Sequence, residues 1–210
     1  MVVGTLASIW RYPTKSLRGD PLEHALATPA GIPGDRAGAL FVECGHVREG
    51  KTYRGKEHDR LHLATSADEA VALAQSRGVA VTQRRDGPFF DDAPISLLVD
   101  RWLDELSALI GYAVEPQRFR PNFFVRAATD FHDGEAALEG AELQLGFARM
   151  RVRYPIERCV TTTYDPAGGD ADPNILRLVA QRRNNIMGVY CDVIEPGSVK
   201  TGDSLVRVSS

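Results

Sequence analysis

The sequence predicts a mainly β fold with helical insertions (α+β), its strands closing, or nearly closing, into a barrel. Three observations predict it. Many short segments alternate apolar and polar residues and stop at turn-forming Gly, Pro, Asn or Asp. Few segments carry a helical pattern with its caps, and they interrupt the strands rather than pair off with them. No internal repeat or low-complexity tract is present.

Taken in order, Val2 to Trp10 reads as a strand, and Leu22, His24 and Leu26 alternate in a second. Gly31-Ile-Pro-Gly-Asp35 is a turn, and Ala37 to Glu43 a third strand. Residues 44–60 are polar and carry Gly45, Gly50 and Gly55, which suits a hairpin or mobile loop. Ser66 to Arg77 is a helix, with Ser66 and Glu69 as a capping box and Gly78 as its stop. Val79 to Gln83 is a strand. The acidic segment Asp86 to Pro94 is the best internal boundary, dividing one unit into N-terminal strands plus a helix (1–90) and a barrel core (91–210). Asp100 caps a second helix, with Leu103, Leu106, Leu109 and Ile110 on its inner side and Gly111 at its end. Strands then dominate: Phe123–Val125, Glu142–Phe147, Met150–Tyr154, Ile186–Ile194 and Ser204–Val208. A helix from Asp172-Pro173 to Arg183 interrupts them, its proline in the first turn.

Composition narrows the class. With 43% hydrophobic and 25% charged residues over 210 positions, the chain can bury a real core without disulfide staples. Its three cysteines, Cys44, Cys159 and Cys191, are too scattered for a disulfide framework. No signal-like N-terminus and no membrane-length apolar run is visible, so a reducing cytoplasm and no membrane are expected. A net charge of −3 argues against a general nucleic-acid binder.

Local basic clusters therefore stand out. Four segments at strand ends or loops couple a cation to small hydrogen-bonding groups: Tyr12-Pro-Thr-Lys-Ser-Leu17, Gly34-Asp-Arg36, Arg118-Phe-Arg-Pro-Asn122 and Arg158-Cys-Val-Thr-Thr162. That mix suits a phosphate or another oxyanion, although each alone is also an ordinary solvated surface segment. Cys159 follows Arg158 directly, and a guanidinium beside a thiol favours thiolate, the form that attacks electrophiles and ligates soft metals. A lone cysteine is otherwise more often a buried structural residue.

Together these segments resemble the MOSC family, named for the C-terminal domain of molybdenum-cofactor sulfurase. Tyr12-Pro-Thr-Lys-Ser-Leu17, Gly31-Ile-Pro-Gly-Asp-Arg36, Pro94-Ile-Ser-Leu-Leu98, Arg118-Phe-Arg-Pro-Asn122, Arg158-Cys159 with Thr161-Thr-Thr-Tyr-Asp-Pro166, and Gly197-Ser-Val-Lys-Thr-Gly-Asp203 resemble its segments in the right order. The fourth and fifth are nearest the branch with amidoxime-reducing enzymes. The resemblance implies a MOSC-type β-barrel and a molybdenum cofactor, a pterin with a phosphate tail. It implies that Cys159 supplies the thiolate to molybdenum and that Lys15, Ser16 and Arg36 hold the phosphate. Arg120 and Asn122 would sit near the pterin or metal, with Arg158, Thr161 and Thr162 beside them. Two departures from the family are Phe131-His-Asp-Gly-Glu135, without tryptophan, and Met187-Gly188, where relatives commonly have Phe-Gly.

Two functions follow from the resemblance: a reductase or oxo-transfer oxidoreductase for small N- or S-oxygenated compounds, fed by a separate electron-transfer protein, or a carrier of persulfide sulfur or cofactor between a donor and an acceptor. A metal-free anion-binding barrel is a third. In the first, the carrier would dock on Arg118, Arg120 and Arg158. Elsewhere, His58 with His62 and Cys44 with His46 have loose metal-ligand spacing, and Cys191 reads as core. Asp91-Asp92 reads as a solvated loop, and Asp165 and Asp170 as turn residues.

Overall fold

The computed structural model describes residues 1–208. Its elements are β1 (Val2–Arg11), β2 (Asp20–Leu22), β3 (His24–Ala27), β4 (Ala39–Cys44), α1 (Ala67–Ser76), β5 (Ala80–Arg84), β6 (Ile95–Val99), α2 (Asp100–Ile110), β7 (Phe123–Ala127), β8 (Glu142–Leu145), β9 (Ala148–Glu157), α3 (Pro173–Arg182), β10 (Ile186–Glu195), β11 (Gly197–Lys200) and β12 (Ser204–Val208). Seven strands close a ring in the order β12-β8-β9-β10-β6-β7-β1, with β1 pairing back to β12. β2 hangs on β1, while β3 with β11 and β4 with β5 form two small outer ribbons.

The ring closes through β1 because its apolar positions, Val3, Leu6 and Ile9, all face inward. Leu6 sits opposite Val125 of β7, and Thr5 opposite Ser204 of β12. Burying a leucine-sized side chain stabilises a fold by roughly 1.5–3 kcal/mol, so this strand contributes several such terms. The ring's neighbours are antiparallel except β6 and β7. Those two run parallel because α2 carries the chain over between them, as a parallel pair requires.

Some sequence expectations shift. β6 escaped notice because all five of its residues are buried, which leaves no alternation to read. The run Leu22–Leu26 is not one strand: β2 pairs with β1 and β3 with β11, and Leu26 is left exposed. Asp100 does not cap α2; Val99 holds the N-cap position, and Asp100 Oδ1 accepts the Ala127 amide at 2.8 Å, tying the helix to β7. Leu109 is exposed, whereas Leu103 and Leu106 are buried and Ile110 packs partly against the core as expected, joined by Trp102. Ser66 does cap α1, accepting the Glu69 amide at 3.2 Å, but the Glu69 carboxylate reaches one residue further back, to the amide of Thr65 at 2.7 Å.

Two cores result. The larger fills the barrel and the space beneath α2 and α3. The smaller lies between α1 and the β4–β5 ribbon, around Leu40, Tyr53 and Leu61. At one rim of the barrel four strand ends meet. The Trp10 amide donates to the Asn122 carbonyl at 2.8 Å, the Ser96 amide to Asn122 Oδ1 at 3.1 Å, and Arg158 Nη1 to the Phe119 carbonyl at 3.0 Å. Among the described residues no helix is long and apolar enough to cross a membrane.

Candidate functional site

That rim opens into a cleft of about 610 Å³. Lys15, Ser16, Arg36, Arg120, Asn122, Arg158, Cys159, Thr161 and Thr162 all line it, so the tertiary fold collects residues spread over 148 positions of sequence. Eight lysines and arginines line the cleft against three carboxylates. The net −3 chain thus concentrates positive charge at this rim.

Tyr12 organises the cationic side. Its amide donates to Asp35 Oδ1 at 2.7 Å and its hydroxyl to the Pro121 carbonyl at 3.2 Å. The Arg120 and Arg36 guanidinium carbons lie 4.2 and 4.8 Å from the centre of its ring, within cation–π reach. Arg36 is paired with buried Asp35 and donates to Asn122 Oδ1 at 3.3 Å. Arg120 Nη2 is buried and has no hydrogen-bond partner among the described residues. Ser16, Arg36 and Arg120 all hold positive φ, at 70°, 48° and 51°. Non-glycine residues rarely adopt this conformation, and it clusters where a site demands it.

Cys159 begins a short 3-10 turn, Val160–Thr163, just beyond β9. Its Sγ lies 3.2 Å from Thr161 Oγ1 and is half-buried. Thr162 Oγ1 donates to the Cys159 carbonyl at 3.0 Å, so this side chain braces the turn. Arg158 faces inward. Its Nε donates to the Met187 carbonyl at 2.7 Å, Nη2 reaches the same oxygen, and Nη1 goes to Phe119. Burial pulls the Arg158 and Arg120 pKa values down to about 10, which still leaves both cationic at neutral pH. Arg118 is 8% exposed and held by Glu115 and the Thr163 carbonyl, so it cannot present itself to a partner as expected from sequence.

Asp91 is more than a solvated loop residue. Its Oδ1 accepts from Lys15 Nζ at 2.7 Å, while its side chain stays 66% exposed. Crowding by the cleft walls pushes its carboxyl up, but Lys15, with Arg36 and Arg54, outweighs this and holds it below the usual range. An ion pair so open to solvent is worth at most about 1 kcal/mol, and an incoming anion can displace it.

The opposite wall is the 54–62 segment. Tyr164 Oη donates to the Gly55 carbonyl at 2.9 Å, and His62 Nε2 meets the Asp165 carbonyl at 2.8 Å while its ring stacks on Tyr164. His62 and His58 are separately engaged, His58 Nδ1 accepting the Arg60 amide at 3.1 Å. Among the described residues no three His, Cys, Asp or Glu side chains gather as a metal cluster. Cys191 is core as read, and burial pushes its thiol up to about 12. Sequence reasoning passed over Tyr12 as a platform, and Asp35, Arg54 and Glu135. Tyr12 and Asp35 carried a signal, in Tyr12-Pro-Thr-Lys-Ser-Leu17 and Gly34-Asp-Arg36.

Comparison with known proteins decides the family. Residues 64–206 match the MOSC domain. The chain belongs to the MOSC domain family. Its MOSC relatives include the human mitochondrial amidoxime reducing component 2, 21% identical over 98% of this chain and 84% of that protein. Human mitochondrial amidoxime-reducing component 1 is also 21% identical, over 96% of this chain and 82% of that one. Among solved structures, the YuaD protein of Bacillus subtilis superposes with a TM-score of 0.59 at 18% identity, covering 99% of this chain and 97% of its own, and shares the MOSC barrel.

Proposed function

We propose that this MOSC protein binds a molybdenum cofactor in the cleft and reduces small N-oxygenated compounds with electrons from a separate donor. The observation that carries the reading is a half-buried thiol and an unpartnered, buried guanidinium nitrogen in one cationic cleft. The residues present suit such a group. Lys15, Ser16 and Arg36 would hold the phosphate, Arg120 Nη2 would gain the acceptor it lacks, and Cys159 would give a soft thiolate to the metal. Asn122, buried and bonded to Trp10 and Ser96, keeps the floor rigid. When bound, the metal supplies two-electron chemistry, and the protein's part is to hold, orient and limit access. Names of the relatives point the same way, since amidoxime reduction removes an N-bound oxygen.

The test is metal content after expression with molybdate. Stoichiometric molybdenum is expected in the wild type and its loss in Cys159→Ser at unchanged melting temperature, because the hydroxyl is a harder and far less acidic ligand. Lys15→Ala and Arg36→Ala should each weaken cofactor retention roughly ten- to a hundred-fold, the worth of a charge-assisted hydrogen bond of about 1.5–3 kcal/mol. Full molybdenum in Cys159→Ser would overturn the thiolate assignment. A cyanide-labile sulfur on metal-free protein would favour the carrier function.

A further inference from the structure

Glu135 is a buried carboxylate that the proposed function does not use. Both its oxygens accept from Arg183 Nη2, at 2.7 and 2.8 Å, and its Oε1 also accepts the Gly188 amide at 3.2 Å. Arg183 Nη1 reaches outward to Glu105, whose side chain is 57% exposed. Glu135 therefore grips both ends of the Arg183–Gly188 segment, which runs from the end of α3 through the α3–β10 connection into the start of β10. That connection is unusual backbone: Asn184 and Asn185 hold φ of 51° and 63°.

What the connection holds is Arg158. The Asn185 carbonyl accepts the Arg158 amide at 2.9 Å, and Asn185 Nδ2 returns a bond to the Arg158 carbonyl at 2.9 Å. The Met187 carbonyl takes Arg158 Nε. Among the described residues, Arg158 is also fixed from elsewhere by Phe119, through its carbonyl and through its ring, whose centre lies 5.3 Å from the guanidinium carbon. Cys159 is the next residue, and its Sγ has Thr161 Oγ1 as its side-chain neighbour. A buried ion pair is a poor stabiliser, because desolvating two charges offsets most of their attraction. Its use here is geometric.

We propose that Glu135 and Arg183 are positioning residues for Cys159: their ion pair fixes the α3–β10 connection, the connection fixes Arg158, and Arg158 fixes the thiol. The proposal rests on Cys159 being the working thiol of the cleft, but not on any metal. It is tested on metal-free protein, by following iodoacetamide alkylation of Cys159 by mass spectrometry at neutral pH. Exposed Cys44 is the internal reference. In Glu135→Ala the Cys159-to-Cys44 rate ratio should rise severalfold, because the half-buried thiol loses its fixed setting and opens to the reagent. Glu135→Gln, which keeps an acceptor for Gly188 and Arg183, should restore it. Glu105→Ala, which removes only the exposed arm, should leave it unchanged. A lower melting temperature in Glu135→Ala with an unaltered ratio would make the pair merely structural, and an equal shift in Glu105→Ala would mean general loosening of the packing around Arg183; either overturns the proposal. If Glu135→Ala does not fold, Arg183→Lys, which keeps the charge but loses the fork, carries the same test, and an unaltered ratio there overturns it. Failure of the cofactor reading shows separately, as absent molybdenum in a wild type whose thiol ratios behave as stated.

Discussion

At Gly188 a side chain has no room. A Cβ there would lie 2.8 Å from the Leu97 carbonyl oxygen and 3.2 Å from Arg158 Nη2, on a backbone with φ of 82°. Gly188→Ala should therefore cost roughly 1–2 kcal/mol from the left-handed backbone alone, with the backbone clash added, read as a lower urea midpoint. His62 gives a prediction of pH dependence. Burial is the main reason its pKa lies below the ordinary imidazole value, with the charge of Arg120 adding to it and the bond to the Asp165 carbonyl opposing it. The folded state therefore binds fewer protons than the unfolded state just below pH ~6.5, so stability must fall as pH drops through that window. His58 is shifted the same way, also chiefly by burial. Melting temperature should decline from pH 7 toward pH 5, and His62→Gln should remove part of the decline while His58 keeps the remainder.

Among elements, α1 depends most on its ends. It fully buries Ala70 and Ala74 and packs Val71 and Leu73 partly against the smaller core, so its packing is modest. The Ser66 cap and the Glu69 bonds to Thr65 do much of the rest. Ser66→Ala should destabilise by about 1 kcal/mol. Because α1 covers the smaller core, the loss should appear as faster amide exchange in residues 67–84 before the barrel strands respond. By contrast α2 presents Trp102 to the barrel core, with Trp102 Nε1 donating to the Asp133 carbonyl at 2.9 Å, and its capping matters less.

Across the whole molecule, charge is asymmetric: the cleft gathers cations while the chain is net acidic. The proposed function needs electrons from outside, and no haem, flavin or cluster motif stands in the sequence. Protein loaded with molybdenum should reduce an amidoxime with a reduced viologen, and should fail with NADH or NADPH until a reductase and a small carrier are added. Arg118 and Arg158 are tied inward, so an acidic carrier would meet Arg18 and Lys56, exposed cations lining the cleft. Arg18→Glu and Lys56→Glu should each slow carrier-fed turnover and flatten its salt dependence, leaving viologen-fed turnover unchanged. Turnover with NADH and this chain alone would refute the partner requirement.

The sequence by itself determined the β-rich architecture and the caps of α1 and α3, and it named residues that the fold brings to one cleft. Alternation, turn residues and short ordered motifs are local signals, and Lys15, Arg36, Arg120 and Cys159 each sat in one. Only the tertiary structure decided how the site works as a unit. The strand that closes the barrel, β1, is chosen by pairing with β7 and β12, more than a hundred residues away. β6 was invisible because a strand buried on both faces loses its period. Tyr12 became a platform, Asp91 a latch on Lys15 and Glu135 an anchor only when distant loops met, since a lone tyrosine or carboxylate carries no mark of its future partner. Arg158 shows the difference best. Its neighbour in sequence suggested a cation facing the thiol; its hydrogen bonds turn it toward two backbone carbonyls, because a buried guanidinium must satisfy its donors before it can serve any other group.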